Sequence, residues 1–98
     1  MVKHVILWKL KDEYTTSKEV KDDIKNGLEA LLGQIPGLLS IQVNSEGLPT
    51  SNADLMLDST FEDEAALKAY AIHPAHVDVA NNKVRPYTEL RLCLDYNV

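Results

Sequence analysis

The sequence predicts an α+β domain of order β-α-β-β-α-β, with a four-stranded antiparallel sheet carrying both helices on one face. Three observations point there. Four segments are rich in apolar residues of strand type, two others repeat apolar residues at helical spacing, and turn-forming residues separate them. Ninety-eight residues supply apolar material for one core, so residues 1–98 read as a single domain.

Val2 to Leu10 opens the chain as a strand, with His4, Ile6, Trp8 and Leu10 on one face and Lys3, Val5, Leu7 and Lys9 on the other. Apolar residues on both faces imply cover on both sides. Thr16 followed by Glu19 is a capping-box pattern, and Val20, Ile24, Leu28, Leu31 and Leu32 follow at helical spacing. This predicts a helix from Ser17 to Gly33, with Gly27 inside it at about 1 kcal/mol against alanine unless a neighbour packs closely there.

Pro36 and Gly37 break the chain before a second strand, Leu39 to Asn44, and "LPTSN" separates it from a third, Ala53 to Phe61. Asp63 is placed to cap a second helix bearing Ala66, Leu67, Tyr70 and Ala71. That helix must falter at Ile72 or His73, because Pro74 disfavours a helical residue before it. A short turn through Val77 to Ala80 and a loop, "NNKVRPY", lead to a fourth strand, Thr88 to Tyr96, where Leu90, Leu92 and Leu94 alternate with Glu89, Arg91 and Asp95.

This order is the ferredoxin-like arrangement. Two crossovers of the same hand place both helices on one face and leave the other bare, so a second copy of the sheet is expected to cover it as a homodimer. Ten basic residues stand against fifteen acidic ones, a formal charge of -5, with no basic stripe for nucleic acid. The single cysteine permits no internal disulfide, the opening apolar stretch reads as a strand rather than a signal peptide, and no run is long enough to cross a bilayer. A protein of the cytoplasm, without membrane contact, is expected.

The chemistry concentrates in "AYAIHPAHVDVA", Ala69 to Ala80. His73 and His76, spaced H-x-x-H and followed by Asp78, have the residue types of a metal site, although Pro74 breaks the turn that would align them. Alternatively, Tyr70 and His76 form a pair over a cavity whose floor includes His4: histidine suits acid–base work near neutral pH, and a tyrosine hydroxyl can hold a carbonyl oxygen. A structural role is the third reading, since histidine beside proline commonly caps a helix end. Cys93, inside a strand, reads as a packed core thiol, and Trp8 as core that could also line a pocket.

"VKHVILWKLKDE", "YAIHPAH" and "LDY" together resemble the stress-responsive dimeric α/β-barrel family, often called Dabb, from Val2 to Tyr96. The resemblance implies a dimeric α+β barrel, and its plant branch includes a polyketide cyclase that closes a ring by an intramolecular aldol reaction. It implies His76 as general base, Tyr70 as holder of the oxygen on which charge develops, and His4 as the pocket's strand-one histidine. The resemblance places Val20 and Ile24 at the pocket's first-helix positions, and Ile6, Trp8, His73 and Val79 complete the expected lining. No cofactor is required; a structural or adventitious Mg²⁺ is implied on the backbone carbonyls of Leu32, Ile35 and Leu38.

Two departures stand out: "ADLMLDSTF" lacks the plant cyclases' strand-three histidine, and Val20 and Ile24 stand where those enzymes carry bulky aromatics. Two functions remain open: a module binding a small apolar or carbonyl ligand, and a cofactor-free cyclase, lyase or isomerase built on His76 and Tyr70.

Overall fold

The computed structural model describes residues 1–98. Strand β1 (Val2–Leu10) leads through a short turn to helix α1 (Lys18–Glu29); β2 (Leu38–Asn44) and β3 (Leu55–Phe61) follow, then α2 (Glu64–Ile72), α3 (Pro74–Val79) and β4 (Thr88–Asn97). The sheet is antiparallel throughout, in the order β2-β3-β1-β4. This is the ferredoxin-like fold expected from the sequence, with the second crossover built from two helices instead of one.

β1 is central, and its alternation sets the two faces of the sheet. Val2, His4, Ile6, Trp8 and Leu10 are buried toward the helices. With Ile24, Leu28, Leu31, Val43, Leu55, Leu57, Phe61 and Tyr70 they form most of the core. The opposite face is open. Across β1 and β4 the register sets Val5 beside Leu94 and Leu7 beside Leu92, and Leu7, Leu90, Leu92, Leu94 and Tyr96 are exposed. A contiguous apolar patch of this kind marks a surface that is covered in the working protein.

The far edge of the sheet is protected by charge. Glu29 accepts from the Val43 N–H at 2.9 Å, and Lys25 bridges the Val43 carbonyl (2.7 Å) and the Glu29 carboxylate (2.8 Å). The outward backbone groups of Val43 on strand β2 are therefore occupied, so the edge is a poorer template for a stray strand. Burial alone would raise the Glu29 pKa, but the hydrogen bonds from Lys25 and Val43 outweigh it and hold the carboxyl below its ordinary value.

Several local expectations are corrected. Ser17, not Thr16, caps α1, accepting from the Val20 N–H at 3.2 Å. The helix ends at Glu29 rather than Gly33: beyond it the Leu31 and Leu32 N–H groups turn to carbonyls only three residues back and Gly33 at φ +90° cannot resume a right-handed helix, although buried Leu31 and Ile35 preserve the apolar rhythm. Strand β3 begins at Leu55, two residues later than expected. The segment read as a loop, residues 81–87, lies in a widened helical turn, Ala80–Val84, and a tight one, Arg85–Tyr87. Buried Ala80 and Val84 anchor it despite the loop-type residues between and after them. Asp63 does cap α2, accepting from the Ala66 N–H at 2.8 Å. Gly27 also has its close neighbours: a Cβ there would meet Lys83 Cδ at 3.0 Å and Val79 Cγ1 at 3.3 Å.

Gly37 is the tightest of these constraints. It adopts φ +82°, and a Cβ would lie 2.5 Å from the Ala66 Cβ of α2. Replacement by alanine adds left-handed strain to a steric clash, each ~1–3 kcal/mol. Gly37→Ala is expected to lower unfolding free energy by about 2 kcal/mol or more in urea denaturation, with an unchanged m-value.

Candidate functional site

The site arises where α2 stops. His73 leaves the helical conformation (φ -65°, ψ 132°), as the residue before a proline should, and Pro74 begins α3. The Ala75 N–H donates to His73 Nδ1 at 3.1 Å, so the His73 ring caps the start of α3, while its backbone N–H closes α2 by donating to the Tyr70 carbonyl at 3.1 Å. The kink returns His76 over Tyr70, with ring centroids 4.1 Å apart and planes tilted by 33°. Tyr70 in turn packs on Phe61 (5.0 Å) and meets His4 edge-on at 6.0 Å. His4, Tyr70 and His76 are therefore brought together, from a central strand and two helices.

They line a cavity of about 600 Å³ between the helices and β4, whose wall also includes Leu67, Arg91, Cys93 and Asp95. A second space of about 310 Å³ shares Tyr70, Ala71, His76 and Arg91 with the first and reaches Trp8 and Val84. The Tyr70–His76 pair and Arg91 stand at the junction.

The protonation of each group follows from its partners. A backbone carbonyl can only accept, so the contact of His76 Nδ1 with the Ala71 carbonyl at 3.3 Å places the ring proton on Nδ1 and leaves Nε2 with a free lone pair. Burial pushes the His76 pKa below 6.5, and His4, Arg85 and Arg91 act in the same direction against the single opposing hydrogen bond that the ring donates to the Ala71 carbonyl. Burial drives the Tyr70 phenol up to about 12, with Arg91 pulling weakly the other way. Tyr70 is therefore a proton donor at neutral pH, yet its hydroxyl is buried without a hydrogen-bond partner. On the floor, His4 Nδ1 pairs with Asp95, and Ser59 ties down the His4 backbone by donating to its carbonyl at 2.8 Å.

The other sequence-designated pocket residues lie elsewhere. Trp8 lines the second space, but Ile6, Val20, Ile24, His73 and Val79 line neither. Ile6 and Ile24 are core, while Val20 and Val79 pack against it. In this chain α1 therefore closes the core where the resemblance placed pocket residues. His73 and His76 do not converge on an ion, each ring being engaged by different backbone groups. Cys93 is not a core thiol; it is exposed and lines the cavity. The residues missed were those of β4, Arg91, Cys93 and Asp95. Their signal was the polar half of that strand's alternation, which pairs with Trp8, Ile6 and His4 across the sheet.

The carbonyls of Leu32, Ile35 and Leu38 fit magnesium poorly. They bring no negative charge, and the Ile35 carbonyl already accepts from the Leu38 N–H at 3.2 Å.

His76 yields a direct test. A histidine whose folded pKa is lowered binds its proton more readily when unfolded, so its contribution to stability is complete above pH 6.5 and is lost progressively below it as pH falls through the lower folded pKa. Titration of the His76 ring by NMR is expected to give a pKa below 6.5, and His76→Gln should flatten the fall in stability on acidification below it.

Comparison with known proteins places this architecture. The model of the Dabb family, the stress responsive A/B barrel domain, matches residues 2–98. A dimeric protein of unknown function with a ferredoxin-like fold from Bacteroides fragilis superposes with a TM-score of 0.86 at 33% identity, covering 99% of this chain and 95% of that one. A protein from Arabidopsis thaliana gives 0.84 at 27% identity, covering 100% and 95%. The hydroxynitrile lyase of Passiflora edulis gives 0.83 at 19%, covering 99% and 92%, and at that identity shares the fold alone. A search of curated proteins returned no match. No helix is long and apolar enough to cross a membrane. With the family pattern running from Val2 to Val98 over this fold, the chain belongs to the Dabb family of stress-responsive α/β-barrel domains.

Proposed function

We propose that the protein is a cytoplasmic homodimer that binds a small carbonyl or phenolic compound in the cavity between helices and sheet. One observation carries this reading: the Tyr70 hydroxyl, buried on the cavity wall, has no partner. An unpaired buried hydroxyl costs ~1–3 kcal/mol, which a ligand oxygen accepting its proton would recover. Val2, Leu67 and Ala71 offer apolar contact while Glu64, Lys68, Arg91 and Asn97 line the same wall, which favours a ligand that combines a hydrocarbon part with polar groups. The lone cysteine, which leaves no internal disulfide, supports the location.

A second reading, cofactor-independent proton transfer of the cyclase, lyase or isomerase type, is favoured by the state of His76. A neutral imidazole with its Nε2 lone pair free can remove a proton beside a carbonyl, while Tyr70 donates to the oxygen on which negative charge grows. The proton then returns from His76 to carbon or to a leaving group. The plant-cyclase resemblance supports the roles but not the substrate, since the strand-three histidine is missing here and Val20 and Ile24 lie outside the cavity.

A panel of small aryl ketones and phenols, titrated calorimetrically, should yield binders that Tyr70→Phe weakens roughly 3- to 10-fold, the value of one neutral hydrogen bond. Binding unaffected by that change would remove the first reading. For bound ketones, exchange of the α-protons with deuterated solvent should slow ~100-fold or more in His76→Gln. Equal exchange in both proteins would leave binding alone.

The dimer rests on the exposed apolar face of β1 and β4 and on the dimeric Bacteroides fragilis relative. Sedimentation equilibrium should give twice the chain mass, and Leu94→Glu should shift the population toward monomer.

A further inference from the structure

We propose that His4, Cys93 and Asp95 form a three-ligand site for a zinc-like dication at the edge of the cavity, with the fourth coordination position facing the cavity interior. The site shares His4 and the cavity with the Tyr70–His76 pair but uses neither of those two side chains as a ligand. It uses atoms of two neighbouring strands, β1 and β4, with His4 opposite Asp95 and Cys93 opposite Ile6 in the register. Residues 93 and 95 lie on one face of the strand, which points both side chains at the His4 ring.

The distances fit a tetrahedron. Cys93 Sγ stands 3.7 Å from His4 Nδ1 and 3.5 Å from Asp95 Oδ1, and the three donor atoms lie within 4.8 Å of one another. Around zinc, with bonds of ~2.3 Å to sulfur and ~2.0–2.1 Å to nitrogen and oxygen, adjacent ligand atoms stand ~3.3–3.6 Å apart. Only the His4–Asp95 contact must open, since a hydrogen bond joins those atoms now. A metal would replace the proton they share and displace the Cys93 thiol proton to solvent.

The donor set selects the ion. One thiolate, one imidazole and one carboxylate suit zinc better than magnesium or calcium, which take oxygen ligands almost alone. The support is rigid on the histidine side. His4 is buried in the central strand, its ring edge-on to Phe61 (6.2 Å) and Tyr70 (6.0 Å) and its backbone carbonyl held by Ser59. Cys93 and Asp95 are exposed, which provides the entry path. The same exposure allows both to be substituted with little loss of packing. Three protein ligands and one open position are the arrangement of zinc sites that accept a water or ligand atom, and here that position faces a space lined by Tyr70 and His76.

The full-length protein, freed of metal, would be titrated with Zn²⁺ against a chromophoric chelator, and separately with Co²⁺ as a spectroscopic probe. One ion per chain is expected, with a thiolate-to-cobalt charge-transfer band in the near ultraviolet. Cys93→Ser should abolish that band and weaken Zn²⁺ binding at least ~tenfold, and Asp95→Asn should weaken Zn²⁺ binding similarly, whereas Lys18→Gln, on the exposed start of α1, should leave both unchanged. Circular dichroism would check that each variant is folded. Absence of stoichiometric Zn²⁺, a cobalt complex without the thiolate band, or equal Zn²⁺ affinity in folded Cys93→Ser would overturn the site. None of these readouts uses ligand turnover, so this site and the Tyr70–His76 reading fail separately.

Discussion

The register of β1 between β3 and β4 is the constraint on which the rest depends. Side chains alternate with a period of two, so a slip of one residue would turn His4, Ile6, Trp8 and Leu10 outward and send Lys3, Leu7 and Lys9 into the core. Nine residues of pairing to β4 and seven to β3 make such a slip prohibitive. The register also determines what β4 presents on each side. Leu92 and Leu94 join Leu7 and Val5 on the open face, while Arg91, Cys93 and Asp95 stand beside Trp8, Ile6 and His4 at the cavity. One strand thus supplies both the apolar surface and the polar wall.

The second determinant is local. Pro74 ends α2 by steric exclusion and starts α3 from a conformation its ring already holds, and His73 satisfies a free N–H at the new start. The reversal is short enough to stack His76 on Tyr70 one turn and a half later in sequence. Burial then tunes the two rings in opposite senses. It keeps the imidazole neutral and the phenol protonated, because in each case the charged form is the one that burial disfavours. An acceptor and a donor consequently face one cavity, which suits a polarised oxygen next to an acidic C–H.

Features carried by strong local physics were legible in the sequence. β1 showed its two faces, Asp63 its cap, and Pro74 the end of α2, and the Tyr70, His76 and His4 set assembles as expected. Other features had weak or misleading signals. Leu31 and Ile35 continue a helical rhythm on a backbone that has left the α-helix after Glu29 and reverses at Gly33, so periodicity overshot the end of α1. Residues 80–84 form a widened turn, for which no simple apolar period exists, and the asparagines there imitate a loop. On β4 alternation was plain, but alternation cannot say which half faces helices and which faces a partner. Arg91, Cys93 and Asp95 were therefore missed, and Val20 and Ile24, placed by resemblance, proved to serve the core.

The unpartnered Tyr70 hydroxyl makes the cavity a candidate holder of an oxygen-bearing compound. Native mass spectrometry of the protein purified from its own host, followed by denaturing release of what it carries, tests this most directly. A discrete carbonyl or phenolic compound is expected, with an occupancy that falls in Tyr70→Phe. An empty protein, or a compound retained equally without the hydroxyl, would contradict it.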